Sequence, residues 1–209
     1  MRVFEILRTI QGETTRAGVG MDFIRLAGCD LACSYCDTPE ARDPEAGREM
    51  AVADVLAALP SPALPFALIT GGEPMLQVEA VNALLAALIA GGREVLVETS
   101  GAYPIDRLDE GAIRIMDVKT PGSGMAERIF WPNLDHLTPR DEIKFVLTGR
   151  ADYEWACRVV ERHGLTDRLP VLFGGAWDRL DPRTLAGWLL EDGLPVRLNV
   201  QWHKHLHLP

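Results

Sequence analysis

Apolar positions along the chain follow two alternating patterns. Short runs rich in Val, Ile, Leu and Phe, at residues 23–26, 66–69, 95–97, 113–118, 143–147, 170–173 and 196–200, predict strands, the first of them extending over 21–27. Between several of these lie helical periodicities at 49–59, 78–90, 151–163 and 182–191. Gly91-Gly92 follow the second helix, Gly164 follows the third, and Asp181-Pro182 open the last, each a residue type suited to that end. Strands alternating with helices imply parallel strands joined by crossovers. A closed eight-stranded barrel takes about 250 residues. This chain has 209, and two of its connections look too brief for helices. The expected fold is therefore α/β, a partial (incomplete) TIM-like barrel of parallel strands. A doubly wound sheet is disfavoured because no strand is followed by a Gly-x-Gly-x-x-Gly turn. With no linker, repeat or low-complexity tract, residues 1–209 read as a single domain.

Composition narrows the function. At 47% hydrophobic and 24% charged the chain has the make-up of a soluble globular protein. A net charge of −9 argues against a nucleic-acid partner or an anionic membrane surface, but leaves room for an anionic small molecule where arginines and lysines gather. The N-terminal segment has no apolar leader core, and no run approaches the ~20 apolar residues of a membrane span, so a cytoplasmic protein is expected. The cysteines do not form a secreted disulfide pattern. Cys157, between Trp155 and Val159 in a helical run, reads as packing.

The other three cysteines fall within eight residues, Cys29-x3-Cys33-x2-Cys36, directly after a strand. Three thiolates are one short of a closed site. On spacing alone, zinc completed by Asp37, Cys157 or a C-terminal histidine and an iron-sulfur cluster are both open. Further polar groups follow later strands: Thr70-Gly71-Gly72-Glu73-Pro74, Glu98-Thr99-Ser100-Gly101 and Asp117-Val118-Lys119-Thr120-Pro121-Gly122. In a barrel such strand ends face one mouth. His203, His205 and His207 are spaced to share one face of an extended segment, as a metal site or a solvated edge.

The cysteine spacing, Gly71-Gly72-Glu73-Pro74 after the next strand and Glu98-Thr99 after the third together resemble the radical S-adenosylmethionine (SAM) enzymes. The resemblance implies a 4Fe-4S cluster on Cys29, Cys33 and Cys36, whose open iron is chelated by S-adenosyl-L-methionine. It assigns Tyr35, Asp37, Gly71, Gly72, Glu73, Asp117, Val118 and Lys119 to that cofactor. Gly71 and Gly72 are expected to let the backbone approach the methionyl group, and Glu73 to accept from its ammonium.

A narrower resemblance adds Ile10-Gln11-Gly12-Glu13, Phe23-Ile24-Arg25-Leu26, Cys36-Asp37-Thr38, Glu142-Ile143-Lys144-Phe145-Val146 and Gln201-Trp202-His203-Lys204. In this order and spacing the blocks are similar to the 7-carboxy-7-deazaguanine synthases. The resemblance implies ring contraction of the pterin substrate, 6-carboxy-5,6,7,8-tetrahydropterin, to 7-carboxy-7-deazaguanine with release of ammonia, in queuosine and deazapurine synthesis. It also implies Mg2+ at Thr38, a flavodoxin or ferredoxin-type electron donor and a homodimer. Substrate contacts are expected from Ile10, Gln11, Gly12, Glu13, Arg25, Thr70, Glu98, His203 and the carboxylate of Pro209. Arg25, a charge inside an apolar strand, reads as a fork for the substrate carboxylate or as half of an internal pair with Glu98 or Glu13. Thr14 stands where many relatives have glycine, Asp117 where some have serine, and Leu172-Phe173-Gly174-Gly175 matches a cofactor-contacting segment only loosely. A glycyl-radical-activating enzyme and a zinc or iron-sulfur interaction module are the alternatives.

Overall fold

The computed structural model describes residues 1–209. Its strands are β1 (Arg2–Ile10), β2 (Gly20–Leu26), β3 (Arg48–Glu49), β4 (Phe66–Gly71), β5 (Glu94–Thr99), β6 (Ile113–Lys119), β7 (Glu142–Leu147), β8 (Val171–Gly175) and β9 (Arg197–Leu198). They form one open sheet in the order β3-β1-β2-β4-β5-β6-β7-β8-β9. From β2 to β9 every neighbouring pair is parallel. The helices are α1 (Val52–Ala58), α2 (Val78–Ala90), α3 (Arg150–His163), α4 (Pro182–Asp192) and α5 (Trp202–Leu206). The connections between β5 and β6 and between β6 and β7 carry only 3-10 turns. The partial α/β barrel expected from the sequence is therefore the fold.

Alternation along each strand sorts its residues onto two faces. One face packs against the helices. Ile24, Ile69, Val95 and Val97 join Leu84, Leu85 and Leu88 of α2 in one cluster, and Met116, Val118, Phe145 and Phe173 join Tyr153 and Ala156 of α3 in another. The opposite face is the barrel interior. Its lower layer is apolar, from Met21, Leu68, Leu96, Ile113 and Ile115. Further along the same strands stand Arg25, Thr70, Glu98, Asp117 and Lys119, joined by Lys144 from β7.

Helix ends follow the expected signals. The Asp181 carboxylate caps α4 by accepting from the Arg183 amide at 2.6 Å, ahead of Pro182 at the first turn. Gly164 ends α3 in the left-handed conformation.

The structure corrects the sequence reading at the two ends of the sheet. β1 was absent from the expected strands, yet it runs antiparallel to β2, with Arg8 opposite Asp22 and paired to it at 2.7 Å. Glu49, expected in the first helix, lies in β3, and α1 begins at Val52. The last expected strand pairs over two residues only, and the histidine-rich segment is not extended: His203 and His205 lie on α5, which ends before His207.

An open sheet leaves a seam, and two segments fill it. The β1–β2 loop crosses beneath the strands, where Thr15 donates to Glu142 at the start of β7 and Arg16 pairs with both Glu142 and Glu94. The Trp202 amide donates to the Gly12 carbonyl at 2.9 Å, and the Thr14 amide to Asn199 Oδ1 at 2.9 Å. The loop and the C-terminal segment thus close the barrel side wall without a strand.

Candidate active site

The interior layer of polar strand ends forms the floor of a cavity, and the cysteine loop forms part of its wall. Cys29, Cys33 and Cys36 all line it and all are free, half-buried thiols. The loop is seated against β4. Gly28 accepts from the Glu73 amide at 2.8 Å, and a Cβ on Gly72 would lie 2.0 Å from the Gly28 carbonyl oxygen. A Cβ on Gly71, whose φ is +111°, would lie 2.3 Å from the Leu26 amide nitrogen. The two glycines are therefore dictated first by the approach of strand end to cysteine loop.

The outer side of the loop is tied down as well. Asp30 accepts from Tyr103 Oη at 2.6 Å and Arg128 Nη2 at 2.5 Å. Arg179 donates to the hydroxyl and carbonyl of Ser34, whose hydroxyl donates to the Gly122 carbonyl. Burial pushes the Cys29 and Cys33 thiols up, against smaller opposing effects from a backbone hydrogen bond at Cys29 and from Lys119 at Cys33.

Glu73 does not line the cavity. Its buried carboxylate accepts from the Met75 amide at 3.0 Å, Thr99 Oγ1 at 2.7 Å, the Ser100 amide at 2.8 Å and Ser100 Oγ at 2.5 Å. Those four donors use the full acceptor capacity of a carboxylate and fasten the end of β4 to the end of β5.

The floor is a charge cluster. Lys144, 4% exposed, reaches Glu13 at 2.7 Å, Glu98 at 2.5 Å and Asp117 at 3.6 Å, while Lys119 reaches Asp117 at 2.9 Å. Burial disfavours the Lys144 charge, but the three carboxylates outweigh it and hold its pKa well above the usual lysine range. Burial pushes the Glu98 carboxyl up, and Glu13 and Asp117 add to that against the pull of Lys144. Burial likewise acts on Asp117, where Lys119 and Lys144 prevail and its pKa falls.

Arg25 is paired, but with Glu5 at 2.7 Å rather than with Glu98 or Glu13. Only its Nε is used, so both terminal nitrogens of the guanidinium are free at the cavity wall. Across from it, His203 packs onto Gly12, where a Cβ would lie 2.0 Å from the imidazole Nδ1. Burial lowers the His203 pKa, although Glu13 and Asp37 oppose the shift.

Most of the expected site residues converge here. Ile10, Gln11, Gly12, Glu13, Arg25, Tyr35, Asp37, Thr70, Gly71, Gly72, Glu98, Asp117, Lys119, His203 and Pro209 line the same cavity as the cysteines. Three of the others lie outside the lining. Thr38 is just beyond it, donating to Asp37 Oδ1 at 3.1 Å; Glu73 lies beneath it; and the Val118 side chain is buried on the helix-covered face. Lys144, Ser100, Gln201 and Trp177 line the cavity without having been assigned a role from sequence. Lys144 and Gln201 stand inside the 142–146 and 201–204 segments, so the sequence carried a signal for both.

Several buried polar atoms of the lining have no partner: Gln11 Nε2, Tyr35 Oη, Asp117 Oδ1 and Gln201 Oε1. Buried polar groups are seldom left unpaired, and their concentration around one cavity fits a polar ligand. The donor set also fits a cluster better than a mononuclear metal. No group of three or more His, Cys, Asp or Glu side chains is gathered so as to hold one metal ion, whereas three cysteines on one wall suit a multi-iron cluster with an open iron.

Comparison with known proteins bears on the same residues. The Radical SAM superfamily matches residues 23–174. The chain is 39% identical to the 7-carboxy-7-deazaguanine synthase of Koribacter versatilis, covering 100% of this chain and 98% of that one. It is 38% identical to the protein of the same name from Chlorobaculum tepidum, over 100% and 95% of the two chains. The crystal structure of QueE from Escherichia coli has the same fold, with a TM-score of 0.76 at 22% identity over 97% of this chain and 94% of that one.

Proposed function

Because the chain belongs to the 7-carboxy-7-deazaguanine synthase family of the radical SAM superfamily, we propose that one domain, residues 1–209, contracts the ring of 6-carboxy-5,6,7,8-tetrahydropterin, releasing ammonia. The observation that carries this reading is the shared cavity. It joins the three cysteines to a floor of converging carboxylates and a free guanidinium end.

Cys29, Cys33 and Cys36 would hold the 4Fe-4S cluster, and Tyr35, Asp37, Gly71, Gly72, Asp117 to Lys119 the side of the cavity given to S-adenosylmethionine, with Glu73 fixing the strand ends beneath. When bound, cluster and cofactor supply a 5′-deoxyadenosyl radical to start the rearrangement. The remaining work belongs to the chain. Arg25, oriented through its Nε by Glu5, presents its two terminal nitrogens to the substrate carboxylate. Gln11 Nε2 donates to the pterin carbonyl, Glu13 and Glu98 accept from ring and exocyclic N–H groups, and the backbone of Ile10 and Gly12 and the Thr70 hydroxyl complete the edge. His203, kept largely neutral by burial, packs beside Gly12. Pro209, which lines the cavity, directs its carboxylate to the pterin. Thr38 would ligate Mg2+, an ion that keeps most of its oxygen ligands from water and substrate. Fixing the substrate at both edges leaves the ring little freedom to reorient during rearrangement.

The same reading includes a flavodoxin- or ferredoxin-type electron donor, a homodimer and a cytoplasmic location; no helix is long and apolar enough to cross a membrane. The test is anaerobic reconstitution with iron and sulfide, followed by mass spectrometry of the products formed from carboxytetrahydropterin. The expected result is 7-carboxy-7-deazaguanine, with a higher rate when magnesium is present. Reductive cleavage of S-adenosylmethionine without any deazaguanine would overturn the substrate assignment.

A further inference from the structure

The ammonium of Lys144 does more than neutralise charge. It takes Oε2 of Glu13 at 2.7 Å and Oε1 of Glu98 at 2.5 Å, and it approaches Oδ2 of Asp117 at 3.6 Å. In each case the second carboxylate oxygen has no protein donor: Glu13 Oε1 and Glu98 Oε2 make no hydrogen bond, and Asp117 Oδ1 is buried without a partner. The three acids come from separate parts of the chain, the β1–β2 loop, the end of β5 and the middle of β6, where Asp117 stands directly across the ladder from Lys144. Lys144 therefore engages one edge of Glu13 and of Glu98, Lys119 engages one edge of Asp117 at 2.9 Å, and the other edge of each carboxylate is left vacant.

A purely structural account of this cluster is weak. Buried ion pairs roughly break even against apolar residues of similar volume. Immediately below, on the same interior face, the chain closes the barrel with Leu68, Leu96 and Ile115. Charge returns below that apolar layer only at the bottom rim, where Glu142 and Glu94 pair with Arg16, so the charges at the cavity form a separate layer. A lysine suits the task because its ammonium is a compact donor with no acceptor, so it can hold two carboxylates without competing for the ligand's N–H groups.

We propose that Lys144 is a positioning residue, which holds Glu13 and Glu98 so that each presents one free oxygen to N–H groups of the substrate, while Lys119 holds Asp117 beside them. This deepens the substrate reading above and rests on it for the identity of the N–H-rich ligand. Loss of the ammonium leaves Glu13 and Glu98 without their shared cation, so the two carboxylates repel and the acceptor pair disperses.

The experiment compares wild type, Lys144→Arg and Lys144→Met after reconstitution, with iron content and melting temperature measured alongside the kinetics. Iron content is expected to stay near the wild-type level in both variants. KM for carboxytetrahydropterin should rise about tenfold to a hundredfold in Lys144→Met, as for lost hydrogen bonds to charged groups. In Lys144→Arg, which keeps the charge but spreads it over a fork, KM should rise less. A merely structural lysine would lower the folded fraction and kcat while leaving KM unchanged, and that result overturns the proposal. If Lys144→Met does not fold, Lys144→Arg decides: a raised KM supports the proposal and a wild-type KM overturns it. If wild type itself makes no deazaguanine, the substrate reading fails separately, and crystal structures of the variants still judge Lys144. Carboxylates of Glu13 and Glu98 that move apart support it, and carboxylates that stay in place overturn it.

Discussion

Residues one step apart on the same strand have opposite surroundings in this protein. Val95 and Val97 are buried under α2, while Glu98 faces the cavity; Met116 and Val118 are buried under α3, while Asp117 and Lys119 face inward; Phe145 is core, while Lys144 carries the charge cluster. Strands of a parallel sheet, covered on both faces, normally read as continuous apolar runs. Here the outer face keeps to that rule except near the strand starts, where Asp22 and Arg114 are buried against partner charges, and the inner face obeys it only in the layer of Leu68, Leu96 and Ile115. The point along the strand at which the inner face turns polar is where the site begins. Stability and function are thus divided between two faces of one sheet, and substitutions can test how complete the division is.

The largest effect is expected where the two meet. Gly72 lets the end of β4 lie against Gly28 of the cysteine loop, and an added Cβ would sit 2.0 Å from a backbone oxygen that cannot swing aside. In Gly72→Ala the loop must lift, so iron uptake on reconstitution should fall to background and activity with it. The overpacking should also cost about 1–3 kcal/mol of stability. Iron analysis and a melting curve check both. A fully loaded variant with wild-type melting would mean that the loop is seated by something other than this contact.

A substitution on the outer face should do the reverse. Leu85 is fully buried in α2 against the sheet. Leu85→Ala is expected to cost about 2–5 kcal/mol through lost burial and the cavity left behind. Activity per folded, cluster-loaded molecule should nevertheless stay within about twofold, on the general rule that distant sites without shared partners act independently. A large change in KM in this variant would break the separation of the faces.

Much of this arrangement was legible in the sequence. The inner strands were visible as apolar runs, α2, α3 and α4 carried their end signals, and the cysteine spacing with the Gly71-Gly72 block pointed to the cavity wall. The two edges were harder to read. β1 is half-buried along most of its length, so its residues show neither a continuous apolar run nor a clean alternation. α5 is five residues long, too short to show a period. Lys144 stands in the 142–146 segment, yet its meaning depends on Glu13, which is far away in sequence and reaches it only because the β1–β2 loop fills the seam. Arg25 stands out in the sequence as a charge that needs a partner, but the partner, Glu5, lies on β1, the strand without a clear apolar pattern.

That same loop offers the smallest and most specific test. Thr14 has φ +69°, in the left-handed region that favours glycine. For a non-glycine residue this conformation costs on the order of 1–3 kcal/mol unless the surroundings hold it. Here they do: the Thr14 amide donates to Asn199 Oδ1 at 2.9 Å, and its hydroxyl accepts from the Arg16 amide at 3.1 Å. Thr14→Gly removes the strain, but it loses the hydroxyl acceptor and gives the unfolded chain more freedom, two opposing effects of about 1 kcal/mol each. Its net stability should therefore change by less than about 1 kcal/mol. Thr14→Ala keeps the strain and loses the hydroxyl, so it should be less stable than Thr14→Gly by about 1 kcal/mol. Because Asn199 and Glu142 still fix the loop, Thr14→Gly should keep the wild-type KM, with Gln11 and Glu13 unmoved. If Thr14→Ala proved the more stable of the two, the loop would not pass through a left-handed turn at this position, and the floor of the cavity would need another explanation.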